Sequence, residues 1–219
     1  MRKSLAGVMV AALALAACRA DSRFVLFSSD VFAVAEGGGS APVSALYRVE
    51  ISSLSDCTEQ KAAIMEVVAK YLTPSSAAFC SGNDEDSWLE FSAKSDLVAQ
   101  SAGIPGNAPI GLAAMTAGRA VEVHLLFDAA RFGAMNRDVE HLELGASVEL
   151  GALTIELLHD GDTPLVLSAP SAWVNNTPTV APRVDLAHRD NVTIRVSDVA
   201  LAALQADAQV LAFTLSPAP

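Results

Sequence analysis

The feature that most constrains this chain is an uncharged, mostly apolar run of 13 residues, positions 5–17, that stops at a cysteine. Arg2 and Lys3 precede the run, and the polar residues 19–23 follow the cysteine. A membrane-spanning helix needs about 20 apolar residues, so this run is too short to span a bilayer. A basic start followed by an apolar core of this length is typical of a signal peptide. The sequence therefore predicts that residues 1–17 are removed.

The last four residues of this segment, Leu15-Ala16-Ala17-Cys18, resemble the lipobox of bacterial lipoproteins. The resemblance implies that cleavage falls between Ala17 and Cys18. It also implies that the cysteine receives a diacylglycerol and that its new amine is open to acylation. Two or more acyl chains hold a protein stably to a bilayer, whereas one holds it only marginally. The alternative is a plain secretory signal with an incidental cysteine. Apart from this covalent lipid, the sequence predicts no cofactor.

The residue after the cysteine bears on the destination of such a lipoprotein. In bacteria with two membranes an Asp at that position usually signals retention in the inner membrane, and this chain has Arg19 and Ala20 instead. By this resemblance we expect an outer-membrane protein that faces the periplasm, with the periplasmic face of the inner membrane as the alternative. Residues 18–23 are expected to form a short tether, so that the globular region, residues 24–219, lies close to the bilayer.

The charge of the chain argues against two classes of partner. The chain carries 25 acidic and 14 basic side chains, a net charge of −11, and its Lys and Arg residues are not clustered. Nucleic-acid binding depends on clustered basic residues that neutralise phosphates, so we expect no nucleic-acid partner. Anionic lipid headgroups would repel such a surface. We therefore expect the covalent lipid, rather than charge, to hold the protein at the membrane.

Two further cysteines, Cys57 and Cys80, follow the anchor cysteine. An even number of cysteines in a protein exported to an oxidising compartment predicts a disulfide. Two free, buried thiols are the alternative, and the absence of a CxxC motif argues against a redox-active pair. Between the two cysteines, residues 58–72 place apolar side chains at helical spacing, with Asp56 or Thr58 available as a cap and Thr73-Pro74 as the end.

The predicted fold class is α+β and β-rich. We expect mixed or antiparallel sheets, several short helices that follow strands, and one longer helix between Cys57 and Cys80. Residues 102–118 contain four Gly and two Pro, which indicates a loop. This loop is a candidate boundary between two subdomains, an α/β part over residues 24–101 and a β-rich part over residues 119–219.

A local pattern recurs four times, in which a strand-like stretch runs into an Asp and then into an alanine-rich apolar segment. An Asp at a helix N-terminus accepts hydrogen bonds from the free N–H groups of the first turn, so these residues are predicted to be helix caps. The alternative is that folding brings some of them together as catalytic carboxylates of an envelope-polymer hydrolase. The four residues are Asp30, Asp96, Asp128 and Asp198.

Two acidic clusters are weak candidates for calcium binding, because each could supply several of the six to eight oxygens that calcium needs. Neither has the spacing of a known calcium loop, and Asn, Asp and Gly also favour turns for backbone reasons. Asp160-Gly161, between two apolar runs, is a hairpin signal. The prediction is therefore no metal site and two solvated turns. The candidate ligands are Asp84, Glu85 and Asp86 in one cluster, and Asp160 and Asp162 in the other.

The sequence contains neither GxSxG nor SxxK, and no two histidines stand at metal-ligand spacing, so we predict no catalytic residue and no enzymatic activity.

The order of parts from Cys18 to Asp96, with FVLFSSD, YRVEISSLSDC, a helix and FCSG, resembles small uncharacterised lipoproteins of bacteria and their phages or prophages. That resemblance carries no activity. The favoured hypothesis is a non-enzymatic lipoprotein that binds a protein partner in the cell envelope. The alternatives are a calcium or small-ligand binder and, less favoured, the hydrolase.

Overall fold

The computed structural model describes residues 18–83, 86–144, 147–179 and 183–218. Within these ranges the chain forms fourteen strands and four α-helices. Its first half contains β1 (Cys18–Phe27), α1 (Ser28–Gly37), β2 (Ser40–Ile51), α2 (Leu54–Tyr71), β3 (Thr73–Pro74), β4 (Phe79–Gly82) and β5 (Ser87–Ala99). Its second half contains β6 (Ile110–Ala117), β7 (Ala120–Phe127), α3 (Ala129–Val139), β8 (Val148–Leu158), β9 (Leu165–Ser168), β10 (Ala172–Val174), β11 (Thr177–Thr179), β12 (Arg183–Leu186), β13 (Asn191–Val196), α4 (Asp198–Asp207) and β14 (Gln209–Pro217).

All the described strands belong to one curled, mixed sheet. Twelve of them follow one another in the order β11, β10, β13, β8, β1, β2, β5, β6, β7, β14, β9 and β12, while β3 and β4 pair with β5 beside this path. Among these pairs, β1–β8 and β5–β6 are parallel and the rest are antiparallel. The predicted α+β, β-rich class with a mixed sheet is thus confirmed.

Along β1, β2 and β5 buried residues alternate with more exposed ones, and the face that carries the buried residues forms the core. Three aromatic rings link adjacent strands there. Phe24 of β1 meets Tyr47 of β2 edge-on with the ring centres 6.4 Å apart, and Tyr47 stacks on Phe91 of β5 at 5.4 Å. Offset stacking and edge-to-face contacts add stability beyond the buried area alone. These rings therefore fix the order β1, β2, β5 at the centre of the core.

The long helix α2 confirms the helix expected between the cysteines, although it begins four residues earlier. Its N-cap is Ser53, whose hydroxyl accepts a hydrogen bond from the Asp56 N–H at 3.0 Å, so neither Asp56 nor Thr58 is the cap. Cys57, in the first turns of α2, is bonded to Cys80 of β4, which confirms the predicted disulfide. The bridge ties α2 to the strand that pairs with β5.

Two expectations about chain organisation are wrong. Residues 18–23 do not form a tether ahead of the first strand, because β1 already begins at Cys18 and pairs there with Val148. Residues 102–118 are not wholly a loop, because β6 occupies positions 110–117 and lies between β5 and β7. Since β6 is an interior strand, this segment joins the two parts of the chain within one sheet rather than dividing them.

The four junction Asp residues have different roles. Asp128 is the N-cap of α3 and accepts a hydrogen bond from the Arg131 N–H at 2.9 Å, as predicted. Asp30 and Asp198 lie in the first turns of α1 and α4 without being the capping residue. Asp96 lies inside β5, so the predicted cap there is wrong. The four residues thus stand on four separate elements.

Two glycine-to-alanine substitutions should have opposite effects on stability. At Gly151, which lies in a bulge of β8 where Gly151 and Ala152 face the single residue Asp21 of β1, a Cβ would overlap the Asp21 carboxylate and the Arg19 side chain. We expect Gly151→Ala to destabilise the protein by about 1–3 kcal/mol. At Gly133, inside α3, the nearest contact of a Cβ would be an ordinary 3.7 Å, so Gly133→Ala should stabilise it by about 0.5–1 kcal/mol. Chemical denaturation measures both, and equal effects of the two changes would contradict the close packing of β1 on β8.

Candidate functional site

The predicted lipidation residue stands at the first position of a central strand. The Cys18 N–H donates a hydrogen bond to the Ser147 carbonyl at 2.9 Å, which continues the pairing of β1 with β8. The Cys18 thiol is free and half-buried. Burial raises the pKa of this thiol, and the neighbouring Glu50 carboxylate raises it further. Ala17 and the rest of the predicted signal peptide, residues 1–17, lie outside the described residues.

Cys18 lines a small apolar cavity, which we call the anchor-side cavity. It has a volume of about 70 Å³ and lies between the core face of the sheet and the helices α2 and α3. Alternate residues of β1 face it, namely Cys18, Ala20 and Ser22. Opposite them, its walls include Val67 of α2, Met135 and Val139 of α3, and Val148 of β8. Cys18 therefore opens onto an almost wholly apolar space.

The opposite face of the same strand end is polar and tightly paired. The Arg19 guanidinium donates two hydrogen bonds to the Asp21 carboxylate, each 2.8 Å long. Burial acts to raise the pKa of Asp21, but the hydrogen bonds from Arg19 and from the Ala152 N–H outweigh it and lower that pKa overall. The Trp88 ring lies 4.4 Å from the Arg48 guanidinium and 5.7 Å from that of Arg19. Such cation–π contacts hold both arginines against the sheet.

A larger groove, of about 660 Å³, lies along β5 where that strand exchanges one neighbour for another. Lys94 of β5 pairs with Thr73 of β3, and three residues later Leu97 pairs with Leu112 of β6. Between these two pairings the groove is lined by polar and apolar groups, including Lys94, Asp96 and Tyr71. Its volume falls in the range of about 300–1,000 Å³ that is usual for ligand sites. This groove is the larger candidate binding surface.

The described residues of the two acidic clusters contact neighbouring side chains or backbone groups of the fold. The Asp86 carboxylate accepts a hydrogen bond from the Trp88 indole N–H at 2.6 Å, and Asp84 and Glu85 lie outside the described residues. Asp162 is exposed, with an oxygen 3.7 Å from His188. In the part of the chain that the structure describes, no three His, Cys, Asp or Glu side chains are grouped so as to hold a metal ion.

Asp160 caps α1 from a distant part of the chain. Its carboxylate accepts hydrogen bonds from the Ser29 N–H at 2.9 Å, the Ser29 hydroxyl at 2.5 Å and the Ser28 hydroxyl at 2.9 Å. A carboxylate at a helix N-terminus satisfies free N–H groups and interacts favourably with the helix dipole. The predicted hairpin at Asp160-Gly161 is not formed, since β8 and β9 pair with other strands. Asp160 thus acts in helix capping, a role that the local sequence did not suggest.

The same contact brings together Ser28, His159 and Asp160, a constellation that the sequence analysis missed. The Ser28 hydroxyl lies 2.8 Å from Nδ1 of His159, and Nε2 of that ring donates to the Thr163 carbonyl at 3.0 Å. In a serine-hydrolase triad the carboxylate contacts the ring nitrogen opposite the serine. Here the carboxylate contacts the serine itself, and Ser28 and His159 are 1% and 2% exposed. The geometry is that of a capping network in which Ser28 and His159 are buried and Asp160 is exposed.

The fold and these features define a small α+β domain, a curled mixed sheet with helices packed against it and a cysteine at the start of a central strand. A family model described as "Domain of unknown function (DUF7424)" matches residues 26–216, so the chain belongs to that family. The matched span begins after Cys18. No curated protein and no solved structure shows a significant match to the chain. Among the described residues, no helix combines the length and apolar character needed to cross a membrane.

Replacing Asp160 by Asn should destabilise the protein in a pH-dependent way. The hydrogen bonds from Ser29 and Ser28 lower the pKa of Asp160 below its ordinary value of 3.8, although burial alone would raise it. A lowered folded-state pKa means that the stabilisation is complete above the ordinary value and is lost as the pH falls through the lowered one.

At pH 7 we expect a loss of about 0.3–1 kcal/mol for Asp160→Asn, because the amide oxygen can still accept a hydrogen bond but lacks the charge that interacts with the helix N-terminus. The difference from the wild type should stay constant down to about pH 4 and shrink below it. Denaturation curves across this pH range measure the effect. Asp162→Asn is the matched control, because its exposed carboxylate caps no helix. A constant difference at all pH values would exclude the charge of Asp160 as the cause.

Proposed function

We propose that this protein is a lipid-anchored binding protein of the bacterial cell envelope, held at the periplasmic face of the outer membrane by Cys18. The observation that carries the proposal is the position of Cys18, at the first residue of β1 and beside an apolar cavity. In lipidation, a diacylglyceryl group transferred from a phospholipid would form a thioether with the sulfur, and the thiol proton would leave with the phospholipid headgroup phosphate. The lipobox-like sequence at residues 15–18 supports this chemistry.

The hydrogen bonding at Cys18 is compatible with processing at this residue. Cleavage before Cys18 would convert its amide into a free amine, and acylation would convert that amine back into an amide. Both forms retain an N–H, which can still donate to the Ser147 carbonyl that the chain N–H contacts at 2.9 Å. A modified Cys18 therefore keeps its place at the start of β1. Since no tether separates it from the sheet, the sheet itself would lie at the bilayer surface.

Mass spectrometry of the natively produced protein tests the anchor. We expect a chain that begins at Cys18 and carries a diacylglyceryl group and an added acyl chain, found in the outer-membrane fraction. Cys18→Ala should keep residues 1–17 and lack the lipid, because the sulfur that forms the thioether is gone. A wild-type chain that starts at Met1, or an unmodified Cys18, would contradict the proposal, and recovery in the inner-membrane fraction would contradict the location.

The binding role is assigned to the groove along β5, and the favoured partner is another envelope protein. The lining of the groove includes Lys94 and Asp96 as well as Tyr71 and Ile110, so the groove offers ionic, polar and apolar contacts side by side. Protein interfaces commonly combine an apolar centre with a polar rim. A small ligand is the second candidate, because the groove volume of about 660 Å³ also suits one.

Photo-cross-linking in living cells separates these two candidates. A photoreactive residue replacing Ser95, in the groove, should give an adduct whose mass is increased by that of a second protein. The matched control replaces Thr58, an exposed residue on α2 outside the groove, and should give little or no such adduct. A mass increase of only a few hundred daltons at position 95 would favour the small ligand. Equal adducts at both positions would remove the groove as the binding surface.

A further inference from the structure

The anchor-side cavity is unusual because its position coincides with the attachment point of the proposed lipid. It lies under α2 and α3, and its lining includes apolar side chains from β1, β2, β5 and β8. Tyr47, which also lines it, is buried, and burial raises the pKa of its phenol above the ordinary range. A dry wall of this kind favours hydrocarbon over water or a polar ligand.

The direction of β1 determines what can reach this cavity. Side chains alternate between the two faces of a strand, so Cys18 shares a face with Ala20 and Ser22, while Arg19 points to the other. A group bonded to the Cys18 sulfur therefore begins on the cavity wall. The occupant that this geometry favours is the hydrocarbon carried by that sulfur.

We propose that the anchor-side cavity receives acyl carbons of the lipid carried by Cys18, so that part of the anchor is sheltered by the protein. This inference rests on the proposed function, because it requires that Cys18 is lipidated. The cavity gives the lipid a second apolar environment besides the bilayer. The proposal also assigns a role to α3, which covers the cavity through Met135 and Val139.

The size of the cavity sets how far the chain can enter. Its volume of about 70 Å³ is roughly half that of an engineered 150 Å³ cavity known to take benzene, so it admits only a few carbons as it stands.

Deeper entry of the acyl chain requires one of the covering helices to move outward. Of the two covering helices, α3 is the less firmly held, because Val139 is its one fully buried residue whereas α2 buries four. The side-chain hydrogen bonds of α3 to its neighbours join Asn136 to the Val148 carbonyl, Asp138 to Lys70 and Tyr71, and Arg131 to the carbonyls of Ile104 and Ala108. No disulfide holds α3, whereas Cys57 ties α2 to β4.

The natural methionines provide a test that needs no bulky probe. Met135 lies on the cavity wall, and Met115, on β6, does not line the cavity. The full lipidated protein would be labelled with ¹³C at the methionine methyl groups and held in deuterated detergent. Nuclear Overhauser contacts would then be recorded between the methyl groups and the acyl methylenes. We expect contacts at Met135 and none at Met115, with Met135→Leu used to assign the signal.

A pair of variants tests whether the cavity itself is responsible. Ala20→Leu would fill the cavity from β1 and should reduce the Met135 contact at least severalfold. Ala152→Leu makes the same change on β8 outside the cavity lining and should leave the contact intact. If Ala20→Leu does not fold, the wild-type contact at Met135 alone decides the question.

The outcomes separate this inference from the proposed function. If intact mass shows a lipidated Cys18 but Met135 has no acyl contact, the cavity is not the site of the lipid and the anchor proposal stands. Contacts at Met135 that come from side chains of residues 1–17 in an uncleaved chain would mean that the apolar leader fills the cavity, which overturns the inference. An unmodified Cys18 would overturn both.

Discussion

The parallel pairing of β1 with β8 is the contact on which the rest of this structure depends. It joins residues about 130 positions apart in the sequence, from Cys18 beside Val148 to Phe27 beside Leu158. β1 also pairs with β2, so among the described strands β8, β13 and β10 are linked by hydrogen-bonded pairing to β2 and β5 through β1. The strand that begins at the proposed anchor residue therefore connects the two parts of the sheet.

This pairing also explains why the candidate sites lie where they do. Because Phe27 stands beside Leu158, the next residues in each segment, Ser28 and His159, meet at the end of the pair and form the capping network of α1. At the other end, β8 bulges where Gly151 and Ala152 face the single residue Asp21, and the Asp21 carboxylate accepts a hydrogen bond from the Ala152 N–H there. Gly151 fits there because it has no side chain. One register thus places both the capping network of α1 and the proposed anchor residue, Cys18.

Local patterns in the sequence predicted the features whose causes are local. The helical spacing of apolar residues indicated α2, and the even number of cysteines after Cys18 indicated the disulfide. The start of β1 was missed because Arg19 and Asp21 resemble a polar linker. In the fold their side chains pair with each other on one face, while small residues face the cavity. β6 was missed because the four Gly and two Pro over residues 102–118 suggested a loop, whereas one of these, Gly111, lies in β6 and marks a close approach of that strand to the Ile104 side chain.

The features that the sequence could not predict depend on long-range register. Nothing near Asp160 indicates that its carboxylate caps a helix 131 residues earlier in the chain. The Asp-Gly pair favours a hairpin locally, but β8 gains more partners by pairing with β1 and β13 than by folding back on β9. The groove along β5 likewise arises where β3 ends and β6 begins, on segments more than 30 residues apart. Such sites become visible only when the strand order is known.

The absence of a tether gives the two proposals a common physical basis. A lipid on a flexible linker would sample the bilayer independently of the protein, whereas a lipid on the first residue of a strand is fixed in direction by that strand. Cys18 directs the first atoms of any sulfur-bound group toward the cavity wall, and the chains must then continue either under α3 or out to the bilayer. The bilayer offers far more apolar volume than about 70 Å³, so in these proposals it would hold most of the hydrocarbon whenever the protein is at the membrane. The cavity matters most when the bilayer is absent, because sheltering even a few carbons lowers the cost of exposing the rest to water.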